Sequence, residues 1–125
     1  MKTLLAAAAL TALAALALPA AAQEAPRQCF MQSQMGASVI PDDSTINVKV
    51  SSDTWQIKMA GACGGLRLSR YGYVLNLHSG ATTICGPLDL DISVGDPLTP
   101  NKCLVDSVRK LTVAEVAALP PRDKP

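Results

Sequence analysis

Aromatic residues are nearly missing from this sequence: Phe30, Trp55, Tyr71 and Tyr73 are all that its 125 positions hold. A core without them must be built on Val, Ile, Leu and Met, and forgoes the large buried area that each ring supplies. Histidine is scarcer still, with His78 alone. No Cys-x-x-Cys pair occurs, which weighs against a thioredoxin-like redox centre and against structural zinc, whose ligands come in close pairs. No metal and no cofactor is therefore expected. An excess of charge is missing too. Lys2 is one of eleven basic residues, so ten remain from Gln23 onward against ten acidic ones. Nucleic-acid binders carry a basic excess or a basic stripe, so no nucleic-acid partner is expected.

What is present begins with an export signal. Met1-Lys2-Thr3 is a short positive start, and Leu4 to Leu18 is Ala and Leu interrupted only by Thr11. Ala20 and Ala22 then give the small-x-small pattern that signal peptidase reads, which predicts a signal peptide over residues 1–22 cleaved before Gln23. The rival is an uncleaved anchor, because Thr3 to Ala22 is about long enough to span a bilayer. Ala contributes little to membrane insertion, and Pro19 breaks the helix just before the small residues. The first cysteine, Cys29, follows Pro26-Arg27-Gln28, which is not a lipobox. The expectation is a soluble mature protein, periplasmic or secreted, with no membrane anchor after cleavage. The segment also inflates the 49% hydrophobic content, and the remainder is an ordinary globular mixture.

Export changes how the cysteines read. In an oxidising compartment an even number implies disulfides, and a domain this small often needs covalent help. Cys29, Cys63, Cys85 and Cys103 allow three pairings. The favoured one joins Cys29 to Cys103, tying the ends together, and Cys63 to Cys85, closing a central loop. Taken singly, these would contribute about 4.5 and about 3.4 kcal/mol.

From Gln23 to Leu119 the pattern is that of one mainly β domain. Cys29-Phe30-Met31 opens a strand or a short helical turn, and Met35 to Ile40 leads to a turn at Pro41-Asp42-Asp43-Ser44. Ile46, Val48 and Val50 alternate with polar residues, as do Trp55, Ile57 and Met59 after Ser51-Ser52-Asp53, which predicts a hairpin. Gly61, Gly64 and Gly65 around Cys63 suggest a bend pinned by its disulfide. A phosphate loop would need a Gly-Lys-Ser/Thr ending or a preceding parallel strand. Tyr71 to His78 is a further strand, returning through Ser79-Gly80 along Ala81 to Cys85. Leu88, Leu90, Ile92 and Val94 alternate inward, and Cys103 to Leu111 is a last strand. Thr112 and Glu115 form a capping box for a short helix that Pro120-Pro121 stops. Residues 120–125 read as a disordered tail. The fold expected is a small antiparallel sheet or barrel with a short C-terminal helix and two disulfides.

The cysteine-bearing segments resemble a family of small exported proteobacterial proteins of unknown function. The likeness lies in Arg27-x-Cys29-Phe30, Cys63-x-x-Leu66, Ile84-Cys85-Gly86, Cys103-x-Val105 and Val108-Arg109-x-Leu111-Thr112-x-x-Glu115-x-x-Ala118-Leu119. The resemblance implies export and the four-cysteine framework, and brings no activity. In that family an acidic residue is expected soon after the Ile-Cys-Gly step, where this chain has Pro87.

No residue pattern amounts to a catalytic site. A hydrolase would join His78 to Ser79 and to Asp89 or Asp91, but adjacent residues on a strand point to opposite faces, and no Gly-x-Ser-x-Gly elbow exists. Asp89 and Asp91 read as the solvent side of an amphipathic strand. Trp55 shares its register with core positions, and if half-exposed would make a platform for a sugar or peptide. Arg67 and Arg70 beside Tyr71 and Tyr73 are the best candidates for a binding surface, although solubility alone also accounts for them. The leading expectation is a non-enzymatic module that binds a periplasmic or envelope protein. The alternatives are an inhibitor presenting the glycine-rich loop around Cys63, and a small hydrolase using His78.

Overall fold

The computed structural model describes residues 26–125, so the signal peptide expected over 1–22 lies outside the described residues. Nine strands follow in chain order: β1 (Phe30–Met31), β2 (Met35–Asp42), β3 (Thr45–Val50), β4 (Asp53–Met59), β5 (Tyr73–Leu77), β6 (Thr83–Ile84), β7 (Leu90–Val94), β8 (Asn101–Cys103) and β9 (Val105–Lys110), then helix α1 (Val113–Ala118). They form antiparallel sheets of four strands, β2-β3-β4-β9, of three, β5-β7-β8, and of two, β1-β6.

The hairpin read from alternation is the centre of the molecule. Ile46 lies opposite Ile57 and Val48 opposite Trp55, and all four side chains are buried. Around them pack Phe30, Met59, Leu66, Ile84, Leu90, Ile92 and Val94, one core shared by the three sheets. Trp55 is 4% exposed and its ring centroid lies 4.6 Å from that of Phe30, tilted by 54°. Two of the few aromatics are thus spent on one buried pair.

The four- and three-stranded sheets share a continuous stretch. The expected last strand breaks at Leu104: β8 pairs with β7, whereas β9 pairs with β4, with a register shift where Met59 meets Val105. The sheets turn about this joint, yet no barrel closes, because β2 and β5 are free edges. Two further expectations are corrected. The segment ending at Cys85 does not return beside β5; β5 pairs with β7 in continuous register from Tyr73–Val94 to Leu77–Leu90, and β6 pairs with β1. Leu88 does not point inward: it sits in a 3-10 turn, Pro87–Asp89, before β7 begins, and is 85% exposed. Proline fixes the turn's first residue and delays the strand by two positions.

The disulfides join Cys29 to Cys85 and Cys63 to Cys103, not the pairing favoured from spacing. Strand register is the reason. Phe30 lies opposite Ile84, so the preceding and following residues, Cys29 and Cys85, meet at the next step of the ladder. The chain leaving β4 is likewise led past β8, since Ala60 N–H donates to the Leu104 carbonyl at 2.9 Å, which delivers Cys63 to Cys103.

The C-terminal end is docked, not the disordered tail that its composition suggests. Pro121–Asp123 forms a 3-10 turn, and the Asn47 amide donates from Nδ2 to the Asp123 carbonyl at 2.9 Å. Asn47 is 0% exposed, so this end covers the hairpin face opposite the core. A chain of polar contacts continues from it. Gln56 Nε2 donates to Asn47 Oδ1 at 3.1 Å, and Arg109 donates to Gln56 Oε1 at 3.5 Å and to Glu115 Oε1 at 2.8 Å. Glu115 in turn accepts from Thr112 N–H, completing the capping box of α1. The Thr112 backbone bond and Arg109 hold the Glu115 carboxyl below its usual value.

Candidate functional site

Of the residues singled out for a binding surface, Trp55 separates from the other four, which stay together on one segment. Trp55 is withdrawn into the core, because its side of β4 faces the other sheets, and it offers no platform. Arg67, Arg70 and Tyr71 are exposed on the loop between β4 and β5, and Tyr73 is half-buried at the start of β5. The loop is held at its base. Cys63 is tied to Cys103, Cys63 N–H donates to the Asp43 carbonyl at 2.6 Å, and Arg67 N–H donates to Asp43 Oδ1 at 3.0 Å. Gly65 adopts φ +84°, the left-handed conformation that glycine permits without steric cost. The bend expected around Cys63 is present, and the strand before it, β4, is antiparallel to both neighbours.

His78 is placed by a 3-10 turn directly after β5. Its Nδ1 lies 2.7 Å from the Leu88 carbonyl oxygen and its Nε2 lies 2.8 Å from Asp91 Oδ2. Both partners are acceptors, so both ring nitrogens must donate, and the arrangement selects the imidazolium. Its pKa is raised, chiefly by the hydrogen bond to Asp91 and then by that to Leu88. Ser79 is not among its partners. Engaged at both nitrogens, the imidazolium clips the end of β5 to the start of β7. The two acids do not share a strand face. Asp91 lies in β7, whereas Asp89 closes the preceding turn, its Oδ2 accepting from Cys85 N–H at 2.7 Å and Gly86 N–H at 2.9 Å. An acid does follow the Ile84-Cys85-Gly86 step, after Pro87, and its work there is to cap two backbone donors.

Sequence reasoning missed the open seam between the edge strands β2 and β5. A groove of about 660 Å³ runs there, with Met35, Ser38 and Ile40 of β2 on one side and Tyr73, Val74 and Leu75 of β5 on the other. No charged side chain lines it. The edges differ. β2 is interrupted by two register shifts and contains Pro41, β8 is three residues long, and β9 carries Asp106, Arg109 and Lys110. These are the devices that stop edge strands from pairing. β5, Tyr-Val-Leu-Asn-Leu, has no charge, no proline and no bulge, and Val74 is 57% exposed. The sequence does show an uncharged strand there, but only the topology shows that it ends a sheet.

A model of a family of unknown function, DUF6491, matches residues 1–123. The chain belongs to DUF6491. No curated protein and no solved structure matches it. In this DUF6491 protein the four cysteines form two disulfides. Among the described residues no helix is long and apolar enough to cross a membrane, and no group of three or more His, Cys, Asp or Glu side chains could hold a metal ion.

Proposed function

We propose that this DUF6491 protein is an exported, non-enzymatic binding module that takes an extended segment of a partner protein along the free edge of β5. The observation that carries the proposal is the undefended state of that edge, beside a groove with no charged lining. A strand added there would satisfy the unpaired backbone groups of β5 and set alternate side chains against Met35 and Ile40. The segment it fits is therefore uncharged and apolar at alternate positions. The test uses the mature protein and its Val74→Arg variant as baits in extract from the exported fraction. The expected result is a partner recovered reproducibly by the wild type and lost by the variant. Equal recovery by both baits, no reproducible partner, or self-association of the wild type that the variant abolishes would each reject this occupant.

A second reading, an inhibitor of an envelope or secreted enzyme, is favoured by the loop between β4 and β5. It presents Arg67, Arg70 and Tyr71, with Leu68 also exposed, above a base pinned by Cys63–Cys103 and Asp43. This version expects the protein to slow a protease or cell-wall hydrolase at micromolar concentration, and Leu68→Asp to abolish the effect. A panel of such enzymes that all run at full rate counts against it.

A further inference from the structure

The two disulfides differ in surroundings. Cys63 and Cys103 are both buried, at 4% and 7% exposure. Cys29 is exposed and Cys85 half-buried. Cys63 and Cys103 line one small cavity of about 150 Å³, whereas Cys85 lines two larger ones. One, of about 510 Å³, holds Arg27, Thr83 and Asp89; the other holds Gln28, Arg109 and Lys110. Arg109 and Lys110 are paired with Glu115 and Asp53, whereas Arg27 has no carboxylate partner among the described residues. The one acid in the first cavity, Asp89, is already held by two backbone donors.

We propose that Cys29–Cys85 is an exchangeable disulfide whose substrate is a thiol, and that Cys63–Cys103 is the structural bond. Exchange requires an incoming thiolate to reach one sulfur in line while the other leaves as a thiolate. Cys29 is the more exposed residue of the pair and the side from which a thiolate approaches. Cys85 is the leaving group, because Arg27 lines the same cavity and a cationic side chain beside a departing sulfur favours the thiolate. The thiolate attacks Cys29 Sγ, a mixed disulfide forms, the Cys29–Cys85 bond breaks, and its electron pair leaves on Cys85 Sγ. With a dithiol reagent, the second thiol then attacks the mixed bond. That step releases the reagent as a disulfide and leaves Cys29 as the thiol, so two electrons pass from reagent to protein. The chain keeps its fold through the exchange, since the second disulfide and the shared core are untouched. Opening frees the segment before β1, whose Phe30 packs on Trp55.

The experiment exposes the mature protein to reduced glutathione, and separately to dithiothreitol, without denaturant. Samples are quenched by alkylation and the modified cysteines mapped, while Trp55 emission reports the fold. The expected result is alkylation of Cys29 and Cys85 about tenfold or more faster than of Cys63 and Cys103. Glutathione should be trapped on Cys29, and Arg27→Gln should slow opening of this pair alone. Overturning results are equal rates for the two pairs, a rate no faster than global unfolding, glutathione trapped on Cys85, or indifference to Arg27→Gln.

Discussion

At the scale of single residues, burial decides which side chains matter. Trp55 fills the core against Phe30 in a protein with four aromatics, so Trp55→Ala is expected to cost about 3–5 kcal/mol in urea unfolding. A loss below about 1 kcal/mol would show that the pair can collapse into the gap. Asn47 is the buried polar counterpart. Asn47→Ala leaves the Asp123 carbonyl and the Gln56 amide without partners, for an expected loss of about 1–3 kcal/mol. Amide exchange should quicken at residues 121–123 in that variant, which a purely packing effect would not produce. His78 contributes the part of the pH response nearest neutrality. Its pKa is raised in the folded state, so its contribution is fully present below the unfolded value of about 6.5 and disappears as pH rises through the folded value. An NMR titration of the ring should give a pKa above that reference, and Asp91→Asn should bring it back down. None of these partners is visible from residue type. The sequence offers Trp55 as either core or platform, and the packed sheets place it in the core.

Elements were legible to different degrees. The β3–β4 hairpin and the capped helix declare themselves, because alternation with period two and the Thr112–Glu115 pair are local signals that local physics obeys. β7 was found two residues early, since Leu88 continues an apolar alternation that Pro87 has already interrupted. The docked end was missed for a different reason. Pro-Pro-Arg-Asp-Lys-Pro carries no periodic signal, and what holds it is one buried asparagine 76 positions away in sequence. The edge status of β5 belongs here too. Its sequence reads as a strand in either setting, but an edge strand without charge, proline or bulge is a place for another strand to add.

For the whole molecule, the disulfides are the main lever. The loops they close span 40 and 56 residues, so the chain-entropy model gives about 4 kcal/mol for each. Replacing both Cys63 and Cys103 by Ser should cost about that much plus the burial of two hydroxyls without assured partners. Replacing Cys29 and Cys85 should cost the loop term with little added, because that pair lies near the surface. Denaturant unfolding of the two double variants decides it: a larger loss for Cys29 and Cys85 would contradict the assignment of a structural and an accessible bond.

By itself the sequence determined the class of the molecule: a mainly β fold, an even cysteine set, a central hairpin and a short capped helix. Those follow from period, turn chemistry and composition, all of which act over a few residues. The tertiary structure alone decided which cysteines meet, that the sheets stop short of a barrel, which edge is left undefended, and that the C-terminal end covers Asn47. Each of these depends on which strand lies beside which. Strand pairing joins residues distant in the chain, and its choice rests on the fit of whole faces, so no short stretch of sequence carries it.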